Sequence, residues 1–149
     1  MAHGQIASRE EILIQSVAQK ETDTTVNPSA QSTHTLAAAV AQNPQAVEAK
    51  VRAYFADIPI MAEIARCEST FRHRLADGSV LRGYVDSADT GVMQINLRYH
   101  AATAERLGLD LEDIYDNMAY ARNLYERKGT QPWNASAPCW GHHHLAANY

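Results

Sequence analysis

From about residue 43 onward, apolar side chains recur at helical spacing. Asn43-Pro44 supplies an N-cap and a proline suited to a first helical turn, and Val47, Val51, Tyr54 and Phe55 then share one face. Asp57-Ile58-Pro59 breaks that helix and starts another, whose apolar stripe is Ile60, Met61, Ile64 and Ala65. Between Glu68 and Gly91 the rhythm fades. Asp77-Gly78 and Arg82-Gly83 are turn signals there, and Val80, Leu81, Tyr84 and Val85 are expected to form short strands. Helical pattern returns after Asn96 with Leu97, His100, Ala101, Ala104 and Leu107, and Gly108 stops it. Asp110 caps a further turn. Ile114, Met118, Ala121 and Tyr125 mark a last long helix that ends at Gly129. The stretch from Pro132 to Trp140 reads as irregular and aromatic. The expected class is α+β, predominantly α-helical, with a small irregular or β-hairpin lobe set between helical pieces, a suitable place for a cleft.

Residues 1–42 differ in kind. Gln15 to His34 is rich in Gln, Ser, Thr and Asn and has no aromatic residue, too little apolar area to offset its ordering entropy. This part is expected to be a disordered tether or processed segment, 43–141 the folded domain and 142–149 a flexible tail. The 149 residues suffice for one domain with a single core. A net charge of −4 without a basic stripe speaks against a nucleic-acid partner. No apolar run reaches the roughly 18 residues of a membrane span, and no signal peptide is readable at the N-terminus. Cys67 and Cys139 form either one disulfide or two reduced, buried thiols. His142-His143-His144 reads as an end segment, and with no Cys-x-x-Cys or His-Glu-x-x-His spacing neither a metal nor a cofactor is expected.

Glu68 stands out. It lies four residues after Ile64 and eight after Ile60, so helical phase carries its carboxyl on the apolar stripe. Desolvation raises a carboxyl pKa, and the negative end of the helix dipole acts in the same direction. Both favour a carboxyl group still protonated near neutral pH, as general-acid chemistry requires. The bland alternative is an exposed side chain on a fraying last turn.

Ile64-Ala65-Arg66-Cys67-Glu68-Ser69-Thr70-Phe71 resembles the Glu-Ser-x-Phe block of the soluble lytic transglycosylase and lysozyme superfamily. Gly91-Val92-Met93-Gln94-Ile95-Asn96 resembles its second block, Asn117 with Tyr120, Ala121 and Tyr125 the third, and Pro132-Trp133 after Gly129 a common ending. The blocks stand in the family's order over residues 44–141.

The resemblance implies a lysozyme-like, two-lobed fold and cleavage of the bond between N-acetylmuramic acid and N-acetylglucosamine. Glu68 would be the acid, and then the base, of an oxocarbenium-like reaction. Ser69 would orient it or begin the next turn. Gln94 and Asn96 would line the sugar cleft, lying with Val92 on one side if the segment is extended; Asn96 is equally placed to cap the next helix. Met93 would pack beneath the sugar or in the core. Gly91 would let the backbone approach the ligand. Asp89 matches the second carboxylate of lysozymes of the hen egg-white type, and both it and Asp86 also suit turns. Tyr120 or Tyr125 would reach the carboxyl group. Trp133 and Trp140 would stack on sugars or plug the core. The implied partner is the peptidoglycan glycan strand, acted on by a monomer in the cell envelope, periplasmic or secreted.

Overall fold

The computed structural model describes residues 43–146, with side chains described as far as His142. The expectations for residues 1–42, and for the last three residues of the tail, lie outside the described residues. Among the described residues the fold is mostly helical with one small sheet. Among the described residues no helix is long and apolar enough to cross a membrane.

Helix α1, Pro44–Tyr54, starts as the sequence indicates: the Asn43 side chain accepts a hydrogen bond of 2.7 Å from the Ala46 N–H. Val47 and Val51 point into the core with Phe55. Helix α2, Pro59–Ser69, buries Met61, Ala62, Ile64 and Ala65, with Ile60 at the margin of this stripe. It ends on Thr70 in the left-handed region, a position usually held by glycine.

The middle of the chain departs from expectation. Val80, Leu81, Tyr84 and Val85 form no strand. Single bridges join Arg74 to Val80 and Arg82 to Thr90, and Tyr84 and Val85 stand fully exposed. The order here comes from long-range side-chain anchors that local apolar pattern does not encode. Arg74 donates to the carbonyl of Glu112 at 3.0 Å, and Arg82 is paired with the Glu112 carboxylate. The sheet lies later, as two antiparallel strands, β1 (Asp89–Thr90) and β2 (Ile95–Asn96), with Asp89 opposite Asn96. Residues 91–94 are therefore a tight turn, not the extended segment whose alternation would align Val92, Gln94 and Asn96. Val92 is instead buried outright.

Helix α3 spans Leu97–Arg106 and buries only Ala104; Ala101 and Leu107 of its expected apolar face are exposed. Helix α4, Ile114–Lys128, is capped by Asp113, whose carboxylate accepts from the N–H groups of Tyr115 and Asp116. The stretch expected to be irregular is a 3₁₀ segment, Gln131–Ser136, followed by helix α5, Ala137–Ala146. The tail expected to be flexible from residue 142 thus continues as helix to Ala146. Helix α2 packs against α1, α5 and the 3₁₀ segment, which sets the end of α2 at the centre of the fold.

Cys67 on α2 and Cys139 on α5 are joined in a disulfide with a Cα separation of 6.0 Å. It closes a loop across 72 residues of sequence. Restricting a loop of this length in the unfolded chain is worth typically about 2–4 kcal/mol. Replacing both cysteines by serine is expected to lower the melting temperature by roughly 10–20 °C. Thermal unfolding followed by circular dichroism checks this, and an unchanged midpoint contradicts it.

Candidate functional site

The last turn of α2, the β1–β2 hairpin, the start of α3 and the 3₁₀ segment enclose a cleft of about 460 Å³. That volume suits a small-molecule or sugar-sized occupant. Glu68, Asp89, Gln94, Asn96, Tyr99 and Trp133 are among the residues that line it.

Glu68 is partly buried, and burial pushes its carboxyl above the usual carboxylate range. A hydrogen bond of 2.6 Å donated by the Ser136 hydroxyl to Glu68 Oε1 works in the opposite direction, and the negative charge of Asp89 adds to the upward push. Asp89 is held from two sides. Its Oδ1 accepts from Asn96 Nδ2 at 2.8 Å, and Gly83 packs so closely behind it that a Cβ there would fall 2.9 Å from the Asp89 Cβ. Asp86 does not line the cleft. Its carboxylate accepts from the Ala88 N–H, from Asn96 and from Arg98, contacts that hold it below the ordinary aspartate range, the Ala88 bond foremost. Asn96 does both things considered for it: it lines the cleft, and its Oδ1 caps α3 at the Arg98 N–H, while its amide donates to Asp86 and Asp89.

Backbone strain gathers at the same place. Thr70, Phe71 and Gln94 have φ of +50°, +56° and +49°, a region that costs a non-glycine residue about 1–3 kcal/mol. Two of them follow Glu68 closely, and the third lines the cleft, where Gln94 Nε2 donates to the Gly91 carbonyl.

A buried scaffold fixes the hairpin turn. Asn117, fully buried on α4, donates to the carbonyls of Thr90 and Leu111 and accepts from the Met93 N–H. His73 Nδ1 accepts from the Val92 N–H, so its Nε2 carries the proton and donates to the Glu112 carbonyl at 2.8 Å. Gly91 does allow a close approach, but to these side chains and not to a ligand. A Cβ at this position would lie 2.7 Å from both the His73 ring and the Asn117 amide.

Burial lowers the His73 pKa, and the same cause lowers that of His100. A histidine whose folded pKa lies below its unfolded value adds stability that is complete above the unfolded value, 6.5, and lost as pH falls below it. Urea unfolding at pH 7.5 and pH 5.5 is therefore expected to give a lower free energy at pH 5.5. A smaller drop is expected in His73→Gln, and an equal drop in that variant would remove His73 from the explanation.

The remaining expected site residues lie elsewhere. Ser69 is buried, and its hydroxyl donates to the Ala65 carbonyl. Met93 is a core residue. Tyr120 is buried with its hydroxyl on His100 Nδ1 at 3.0 Å, and Tyr125 is outside the cleft lining. Neither tyrosine is hydrogen-bonded to Glu68; Ser136 is. Trp133 is both plug and wall, almost wholly buried with its indole N–H on the Met93 carbonyl and one part at the cleft. Trp140 is a plug. Sequence pattern missed Ser136 and Tyr99. Tyr99 is a large ring three-quarters exposed on a helix start that lines the cleft, and its signal was exposure, which sequence does not report. Among the described residues no cluster of potential metal ligands occurs. The chain matches no family model, no curated protein and no solved structure.

Proposed function

We propose that this chain is a peptidoglycan-cleaving enzyme of the lysozyme-like, lytic transglycosylase type, with Glu68 as its general acid. The observation that carries the reading is a partly buried carboxyl group held above the usual carboxylate range in a cleft lined with amides and an exposed tyrosine ring. A protonated carboxyl can donate to the glycosidic oxygen, and the bond to the muramoyl C1 then breaks through an oxocarbenium-like state. The carboxylate left behind is a base for the muramoyl 6-hydroxyl, whose attack gives a 1,6-anhydro end. The amides of Gln94 and Asn96 suit acetamido groups and hydroxyls, which both donate and accept. The substrate would be the murein strand and the setting the cell envelope, where an oxidising compartment agrees with the Cys67–Cys139 bond.

Asp89 favours a second reading. It lines the cleft with Glu68, close enough for its charge to act on that carboxyl. A carboxylate there stabilises the oxocarbenium charge and opens a hydrolytic, lysozyme-like route with water as acceptor. Incubation with purified murein and mass analysis of the products separates the two. Anhydro ends mean transglycosylase, and reducing ends mean hydrolase. No turnover above a Glu68→Gln control defeats both.

A further inference from the structure

The Ser136 hydroxyl sits at the meeting point of three groups. Trp140 Nε1–H points at its oxygen from 3.0 Å, Glu68 Oε1 lies 2.6 Å away, and the Trp133 carbonyl lies 3.1 Å away. A hydroxyl has one proton and two lone pairs. Trp140, which can only donate, occupies one lone pair with the shorter arm of an N–H that it shares with the Trp133 carbonyl. The single proton then has two acceptors within reach, and it can serve only one at a time.

We propose that Ser136 is a positioning residue that holds Glu68 in one place through both protonation states by turning its hydroxyl between the Glu68 carboxyl and the Trp133 carbonyl. The role rests on the acid–base reading above. When Glu68 is ionised, Ser136 donates to Oε1. When Glu68 is protonated on Oε1, the carboxyl O–H donates to the free lone pair of Ser136, and the serine proton swings to the Trp133 carbonyl. The geometry is the same in both states, so no heavy atom need move as the proton leaves for the glycosidic oxygen or returns from the attacking hydroxyl. For the transfer itself the carboxyl O–H turns from Ser136 to the glycosidic oxygen, and the serine proton swings back to Oε1 to meet the charge left there. Such a rotor removes reorganisation from the chemical step, where small misplacements are costly.

The surrounding structure is built to keep the node in place. Ser136 closes the 3₁₀ segment, Trp133 and Trp140 are both buried, and Cys139 ties the start of α5 to Cys67, the residue before Glu68. Trp140 also reaches the Trp133 carbonyl, at 3.3 Å, so the indole spans the two oxygens between which the hydroxyl turns.

The test uses the full chain with the Glu68 carboxyl carbon labelled, and follows its NMR shift against pH in the parent, Ser136→Ala, Ser136→Thr and Trp140→Phe. Losing the donor to the ionised form raises the midpoint in Ser136→Ala, and Ser136→Thr restores it. Turnover of murein falls on the order of tenfold in Ser136→Ala, with KM little changed and the alkaline limb of the pH profile moved upward in step. If the alanine variant does not fold, Trp140→Phe carries the test, with a smaller rise. An unmoved midpoint in the folded variants overturns the role of Ser136. A parent that titrates as described but does not cleave murein leaves the positioning intact and defeats the enzymatic reading, so the two failures are distinct.

Discussion

Glu68→Gln is expected to reduce murein turnover about a thousandfold while leaving murein binding within a few-fold of the parent. General acid catalysis by a placed side chain contributes typically 10²–10⁴ in rate, and an amide of the same shape has no proton to give. The amide oxygen still accepts from Ser136, so the local structure is kept. Stability should move in the other direction. Burial raises the Glu68 pKa, so the ionised form is disfavoured in the folded state. For an acid with a raised folded pKa, stability is lost as pH rises above the unfolded value, 4.5. The Gln variant escapes that loss, and its melting temperature should match the parent at pH 4 and exceed it at pH 8. Single-turnover kinetics with murein fragments, a pull-down on intact murein and paired melting curves read the three effects. Turnover within tenfold of the parent would remove Glu68 from the chemistry. A parent no less stable than the Gln variant at pH 8 would mean the carboxyl is solvated.

Asn117→Ala is expected to cost about 4–6 kcal/mol. The truncation leaves the carbonyls of Thr90 and Leu111 and the N–H of Met93 buried without partners. Each orphaned backbone group costs about 1–3 kcal/mol, and the cavity adds to the total. A domain of this size is stable by only about 5–15 kcal/mol, so the variant should be largely unfolded when warm. Urea denaturation checks this through a fall in the midpoint at unchanged slope. A loss below about 1 kcal/mol would show that the hairpin turn keeps its shape without the amide. The same substitution reaches the cleft, because Asn117 fixes the turn that carries Gln94 and, through the strand pairing, Asp89.

What sequence revealed and what it hid follow from the range of the interactions. The helices were legible because their signals are local: Asn43 with Pro44, Pro59, and Asn96 each act within one turn. Glu68 was legible for the same reason, since its phase against Ile60 and Ile64 needs only the helical repeat. The lobe was not. Val80, Leu81, Tyr84 and Val85 have strand-like composition, yet their order depends on Arg74 and Arg82 reaching Glu112, some thirty or more residues on. The turn at 91–94 was not legible because its shape is imposed by His73 and Asn117, from 19 and 24 residues away along the chain. Ser136 was invisible for the same cause: a small polar residue 68 positions from the carboxyl it serves leaves no trace in any window. The tyrosines favoured in its place are taken by other tasks, Tyr120 by His100 in the core.

The bond between Cys67 and Cys139 makes a covalent ring of the chain between them, and every residue of the cleft wall, from Glu68 to Ala135, falls inside that ring. A protease that cuts once at the exposed Tyr84-Val85 tip would therefore shed nothing. Both fragments stay tethered, with the two walls of the groove still facing one another. If the chain works outside a cell, as the proposed function implies, its cleft would stay together after the first nick and come apart only when a second cut, or a reductant, opens the circle.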